Sequence, residues 1–528
     1  MSLSRIPNST DDIRGTTGVL RQLLSDNGTA RTAAVSADDS HDHDRKTSIS
    51  SIPHIPVMKL PLPPIPLKNR CISDYAAASV NLSRSFHDIF MMKKKIRKKL
   101  NALKNQAYFF KQNKCGPLDN FMYEIEAASC GFYHLIAPHH SPSARAIYND
   151  KFEYIGVLSK AVPGFVSALD DPLREEDLPI EALNHISIED MDALDERARL
   201  ENLDLDNKPG PHVIFEYILP DPGGTGLSLQ GSGGKTRRVI PVTAKDLRNY
   251  RTIKGLAIGL TTSYIFEEDD CHTGNMSKDG KRIDFDMSPW PITYKFKKTG
   301  PIDWTFRDPA ARFPVTACDI LNFPNLKDAA PFYWPTIPVR FIPEAFISAA
   351  SKFFKTSNNA FPSQDNSLYQ RLAKHPVFIH HKFSTLLKFL LTNDETYRSI
   401  CTLHIRPESQ HENQSTVDML VQHQAERLRA FKSEITKLPQ FRDWLSLNGD
   451  TVLKNILYEF TEYNQRFARK LSVQPLYQPH IINLDHAVKE YVDICEKSQI
   501  VKSAGTLEKE PEVGEWLAEY RKIQRVSY

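Results

Sequence analysis

The chain has 528 residues, long enough for two or three domains with substantial cores. Hydrophobic residues make up 41% and charged residues 25%, and a net charge of +3 gives no general case for nucleic acid, so any basic function must be local. Seven cysteines without a CxxC pair argue against a disulfide framework or a cysteine zinc site, and the least polar run, GLAIGLTTSYIF at 255–266, is too short to cross a bilayer.

Residues 1–70 are rich in Ser, Asp, Asn and Thr and then in proline, which predicts a disordered tail ending in an extended tether. No signal peptide is expected, because the first thirty residues lack a basic-then-apolar core. The HDHD at 41–44 belongs to that solvated tail, and a metal site there is not favoured. In MMKKKIRKKLNALKNQAYFF at 91–110, Met92, Ile96, Leu100 and Leu103 recur at helical spacing and predict an amphipathic helix. Its other faces carry Lys93, Lys94, Lys95, Arg97, Lys98, Lys99 and Lys104 with no acidic residue between them. Such cations repel one another unless an anion sits nearby, which points to a polyanion: an inositol polyphosphate, an anionic lipid headgroup or nucleic acid.

FYHLIA (132–137), ARAIYN (144–149) and FEYIGVLSK (152–160) then read as three strands, and 186–203 as a helix. HVIFEYILP (212–220) is an apolar strand, followed by a glycine-serine insertion at 221–238. The GSGGKT within it is not a phosphate-binding loop, since the glycine required five positions before the Gly-Lys pair is Leu229. Thr243 and Asp246 form a capping-box start for a helix over 244–264. An aromatic and proline-rich region follows 290, and from about 381 the chain is mostly helical, with Ser415/Asp418 and Asp450 as helix starts.

The stretch EDDCHTGNMSKDGKRIDFD at 268–286 carries the chemistry. Asp279-Gly280 favours a two-residue hairpin turn, so counting outwards sets Asn275 opposite Asp284 and Thr273 opposite Asp286. Cross-strand partners share a face, which would present an amide oxygen beside a carboxylate, with Asp286 further along. Oxygen ligands of that kind suit Mg²⁺, which binds few protein groups and completes its shell with phosphates and water. Asp270 and His272, in the turn entering the hairpin, are placed to accept a proton or to position a nucleophile.

Asp270-Cys-His272-Thr-Gly-Asn275 has the pattern DxHxxN, and Ile283-Asp284-Phe285 that of a metal-binding aspartate motif. In that order they resemble the core of the phosphatidylinositol-kinase-like and other atypical kinases of the protein-kinase superfamily. The resemblance covers about residues 130–290. It implies an α+β, bilobal kinase-like fold: a small lobe over about 71–220, a large lobe over about 221–400, and a helical domain over 401–528. It also implies ATP with Mg²⁺ (or Mn²⁺) on Asn275 and Asp284, with Asp286 adding a contact to a second metal or to the groups around the first. Asp270 would be the base, with His272 beside it, and Lys160 would contact the α/β-phosphates. The strand at 212–220 would be the hinge. The pattern departs from the family in several places: Asp286 stands where ordinary kinases have glycine, and only eight residues separate Asn275 from Asp284. PHHSPS (138–143) replaces a glycine-rich loop, leaving phosphate cover to other backbone amides or to His139 and His140. Glu175, Glu176 and the glutamates of 188–201 all compete for Lys160.

The run GVLSKAVPGF (156–165), the 268–286 stretch and FPVTACDILNFPNLKDAAPFYWPT (313–336) look more narrowly like the effector kinases that Legionella-type bacteria inject into host cells. Glu508, Glu510, Glu512, Glu515 and Glu519 near the C-terminus are similar to the acidic export signals of type IV secretion substrates. This resemblance implies action in the host cytosol, an inositol polyphosphate as activator of the 91–110 cations, and a phosphoinositide membrane contact through the C-terminal helices. The expected activity is ATP-dependent phosphorylation of a protein hydroxyl, Ser/Thr-type. The alternatives are a lipid or inositide hydroxyl as acceptor, or a pseudokinase that binds without catalysing.

Overall fold

Alternating apolar residues build the first part of the protein into one antiparallel sheet. The computed structural model describes residues 71–77, 87–95, 103–113, 120–149, 154–205, 212–218, 239–297, 313–326, 334, 366–406, 409–411, 414–471, 481–502, 507 and 511–526. The sheet has strands β1 (Tyr75–Ala77), β2 (His87–Lys95), β3 (Leu103–Asn113), β4 (Ala144–Tyr148) and β5 (Tyr154–Lys160), in the order β1-β2-β3-β5-β4. Helix α1 (Asn120–Ile136) joins β3 to β4.

Register decides what each face does. Phe110 pairs with Phe90 on β2 and with Leu158 on β5. Together with Tyr75, Met92 and Ile147, Phe110 and Leu158 make a small apolar cluster on one face. One residue further along, Lys111 pairs with Ile89 and Val157, so it projects from the opposite face. There Ala146, Tyr148 and Val157 join the main core with α1.

Two expectations are corrected. The 91–110 segment is not a helix: β2 runs to Lys95 and β3 starts at Leu103, with their pairing carried through Lys93↔Ala107. The i, i+4 spacing of Met92 and Ile96 loses to the sheet, where Met92 and Phe110 are buried and the Phe90 and Phe110 rings stack at 6.5 Å. Nor is 132–137 a strand, because Phe132–Ile136 are the last residues of α1. Aromatic residues there read as strand locally, but Ile125, Phe132 and Tyr133 bury at helical spacing. The expected tail at 1–70, the GSGGKT insertion, Arg97, Lys98 and Lys99 lie outside the described residues.

The rest is α+β with a helical majority. Helix α2 (Ile188–Leu200) precedes a hairpin of β6 (Val213–Ile218) and β7 (Val239–Thr243), which feeds α3 (Ala244–Ile265). The capping box at Thr243 and Asp246 forms as the sequence predicts. Short helices α4 (Trp290–Lys297) and α5 (Ala317–Asn322) follow, then α6 (Asn366–Ala373), α7 (Pro376–Leu390) and α8 (Asp394–His404). The two-residue strands β8 (Gln410–His411) and β9 (Gln414–Ser415) lead into α9 (Thr416–Ile435), α10 (Pro439–Leu471), α11 (Leu484–Lys497) and α12 (Pro511–Val526). Ser415 caps α9, accepting from the Asp418 N–H, whereas Asp450 lies inside α10 and starts no helix. One continuous core runs from Met122 on α1 to Tyr520 on α12. Among the described residues no helix is long and apolar enough to cross a membrane.

Candidate active site

The 276–282 hairpin forms, one residue out of the expected register. Met276 bridges Arg282, and the Ile283 N–H donates to the Asn275 carbonyl at 3.0 Å. The Gly280 N–H donates to Ser277 O at 3.0 Å, and Gly280 takes φ +75°. Lys278-Asp279-Gly280 is therefore a three-residue loop with glycine in the left-handed position, in place of a two-residue turn centred on Asp279-Gly280. The choice follows from packing. The turn lies on α3 at Gly255 and Gly259, where an added Cβ would come within 2.0 Å of Asp279 O and of Gly280 O. Asn275 thus faces Ile283, and Asp284 sits diagonally beyond it.

Asp284 itself has φ +63°, a left-handed conformation rare for a residue other than glycine. It turns the carboxylate towards the sheet, where it bonds the Lys111 ammonium. Lys111 also pairs with Glu126 of α1 at 3.1 Å and approaches Asp286 at 3.6 Å. One lysine from the sheet, one acid from α1 and two aspartates from the 268–286 stretch thus converge. Phe285, between the aspartates, is fully buried with its ring 4.4 Å from that of Tyr133. Tyr133 lies seven residues after Glu126, on the same face of α1.

Burial would lower Lys111, but its three carboxylate neighbours outweigh it and hold the ammonium well above the usual lysine range. Burial lifts Glu126 to about 7 against the pull of Lys111. Three carboxylates around one ammonium leave the cluster short of positive charge, the electrostatic condition for an added cation. Among the described residues no three His, Cys, Asp or Glu side chains are arranged to hold a metal by themselves. The oxygen donors of Asn275, Asp284 and Asp286 fit a cation that arrives with phosphate ligands of its own, as Mg²⁺ does.

The turn before the hairpin is tightly held. The Asn275 amide donates to the Asp270 carbonyl at 3.2 Å and to its carboxylate at 3.3 Å. His272 Nε2 lies 3.9 Å from that carboxylate, and its Nδ1 accepts from the Gly274 N–H at 2.9 Å. Behind them Arg282, fully buried, reaches the Asp270 carbonyl at 3.5 Å and Glu268 at 3.8 Å. Burial would lower Arg282, yet the acids around it keep it charged. Glu268 also accepts from the Asp270 N–H at 3.0 Å.

The structure holds Asp270, His272 and Asn275 in one turn and Asp284 and Asp286 around Lys111, and leaves Lys160 out of both groups. Lys160 is exposed and pairs with Tyr108, so it projects from the face opposite Lys111. Glu175 and Glu176 are spent on Arg371 and Arg174. Of the glutamates of 188–201, Glu196 and Glu201 pair with Arg199 and Arg197 of their own helix region. The loop of His139 and His140 connects α1 to β4, and the His140 carbonyl accepts from the Arg282 N–H at 2.6 Å. Burial lowers His140 to about 3, so it is neutral. The segment leaving the sheet is 161–170 and not 212–220, whose strand pairs, among the described residues, only with β7. It is stitched to the hairpin by Ala168 N–H to Met276 O at 2.7 Å and Leu169 N–H to Thr273 O at 3.2 Å.

Of the basic group, Lys93, Lys94 and Lys95 lie on β2, with Lys95 donating to Ser73 O at 2.8 Å, and Lys104 lies on β3. Sequence reasoning missed Lys111 and Glu126. The signal was present: Lys111 ends the run AYFFK, and Glu124 and Glu126 are the only charged residues in NFMYEIEAASCGFY. Charges inside such apolar runs need partners. No known family model matches the chain, and no curated protein matches it.

Proposed function

We propose that the protein is an atypical kinase with a bilobal protein-kinase-like fold, transferring the γ-phosphoryl group of ATP to a hydroxyl. The observation that carries the reading is the placement of Lys111, buried on the sheet and shared between Glu126 of α1 and Asp284 after the hairpin. In phosphoryl transfer a lysine so oriented holds the α/β-phosphates, and its acid fixes it in place. Lys111 and Glu126 take the roles that the sequence had offered to Lys160 and to the later glutamates. Asn275 and Asp284 would hold Mg²⁺ (or Mn²⁺), with Asp286 beside them, and the bound cation would neutralise phosphate charge. Asp270, oriented by the Asn275 amide, would take the proton of the attacking hydroxyl as its oxygen bonds phosphorus and ADP leaves.

The acceptor in this reading is a protein Ser or Thr. A lipid or inositide hydroxyl is the second reading, favoured by His272 beside Asp270. The cations at 93–104 are the proposed contact for an inositol polyphosphate activator. The glutamates at 508–519 support export by a type IV system into a host cytosol, with a phosphoinositide surface as a contact of the C-terminal helices. The test is incubation with radiolabelled ATP, Mg²⁺ and host extract, with and without inositol hexakisphosphate. Labelled protein is the expected result. Label in lipid alone overturns the protein acceptor, and nucleotide binding without any transfer makes the chain a pseudokinase.

A further inference from the structure

Glu124 and Glu126 are two residues apart on α1, so their side chains leave the helix about 200° from each other. Glu126 turns to Lys111. Glu124, also fully buried, turns away from the site and accepts from the Arg406 backbone N–H at 2.9 Å and from its Nε at 3.0 Å. Its second oxygen is buried without a hydrogen-bond partner. Arg406 follows α8, whose Tyr397 ring meets Phe132 of α1 edge-on at 5.2 Å.

A second buried acid is held in the same way. Glu267 stands between α3 and Asp270 with φ +52°, and its carboxylate bonds His423 and lies 3.2 Å from Arg427, both on α9. Arg427 further donates to the carbonyls of Phe313 at 2.6 Å, Tyr264 at 2.7 Å and Ile265 at 3.3 Å. These bonds close the C-terminal end of α3. Arg398 of α8 and Asp418 of α9, 2.6 Å apart, tie the two helices together.

A buried acid and its partner add little net stability over apolar packing, so two such pairs on one helical unit call for another account. We infer that α8 and α9 form a positioning brace for the site, Arg406 setting α1 through Glu124 and Arg427 setting the approach to Asp270 through Glu267. What the brace serves rests on the phosphotransfer reading; its mechanics do not.

The test uses the full chain and compares Glu124→Ala with Glu124→Gln, which keeps an oxygen to accept from Arg406. Hydrogen exchange and the KM for MgATP are read together. Glu124→Ala should speed amide exchange within 120–136 about tenfold, leave 439–471 unchanged, and raise the KM by about as much; the glutamine variant should restore both. Arg406→Ala, which keeps its backbone donor, should show the same pattern more weakly and serves if Glu124→Ala fails to fold. Unchanged exchange in 120–136, or acceleration spread equally over 439–471, overturns the brace. A wild-type chain that binds no MgATP overturns the kinase reading instead, and the exchange pattern still decides the brace.

Discussion

Gly255 and Gly280 meet backbone to backbone, so that a Cβ on Gly280 would lie 1.9 Å from the Gly255 carbonyl oxygen. Helix α3 and the hairpin turn are in direct contact there, with no side chain between them. Gly255→Ala should therefore lower the urea midpoint by the equivalent of about 1–3 kcal/mol. Gly280→Ala should cost about 1–2 kcal/mol more, because φ +75° strains any L side chain. Equal midpoints for wild type and Gly255→Ala would mean that the turn sits elsewhere.

Lys111→Met is expected to reduce phosphoryl transfer by roughly 100-fold or more, because it removes the ammonium shared by Glu126 and Asp284. Lys160→Met, on the other face of the sheet, should leave transfer within about twofold of wild type. Steady-state kinetics on both variants checks the pair. Loss of transfer in the second and not the first would reverse the assignment.

Asp284→Asn retains a residue type that tolerates the left-handed conformation while removing the charge. Mg²⁺-dependent transfer should fall by about 100-fold or more with the circular dichroism spectrum unchanged. Full activity in that variant would remove Asp284 from the metal assignment.

Burial raises Glu126 from the usual 4.5 to about 7. Between those values the folded protein holds a proton that the unfolded chain has released, so this group's contribution to stability falls as pH rises through about 7. Glu126→Gln should flatten the slope of urea midpoint against pH between about pH 5 and pH 8. A cation bound beside Glu126 favours the ionised acid, so MgATP affinity should rise with pH over the same window. Identical slopes in wild type and variant would show that Glu126 does not titrate there.

Replacing Lys94, Lys98 and Lys99 with Glu should weaken binding of inositol hexakisphosphate and reduce its salt dependence. Isothermal titration at two ionic strengths measures both. Equal binding would leave these cations as a solvated surface.

Much of the helical part was legible because its signals are local. Thr243/Asp246 and Ser415/Asp418 cap helices where the sequence places them, and Asp270 and Asn275 share a turn as their close spacing suggests. The sheet was harder to read. Met92 and Ile96 satisfy a helical period, and only pairing with Tyr108, sixteen positions after Met92, turns the segment into a strand. The lysine assignment failed for a related reason: the faces of Lys111 and Lys160 are set by the β3–β5 register, which no local pattern encodes. The hairpin slipped by one residue because the turn is shaped by Gly255 and Gly259 on a distant helix.

The bonds from Ala168 and Leu169 to Met276 and Thr273 give the sheet a mechanical constraint. The segment that carries the chain out of β5 is also the leash of the hairpin bearing Asn275 and Asp284. Were the sheet to tilt about residues 161–168, it would pull on the turn that bears Asn275 as well as on Lys111, so the ceiling and the floor of the site would travel together instead of opening like a free jaw.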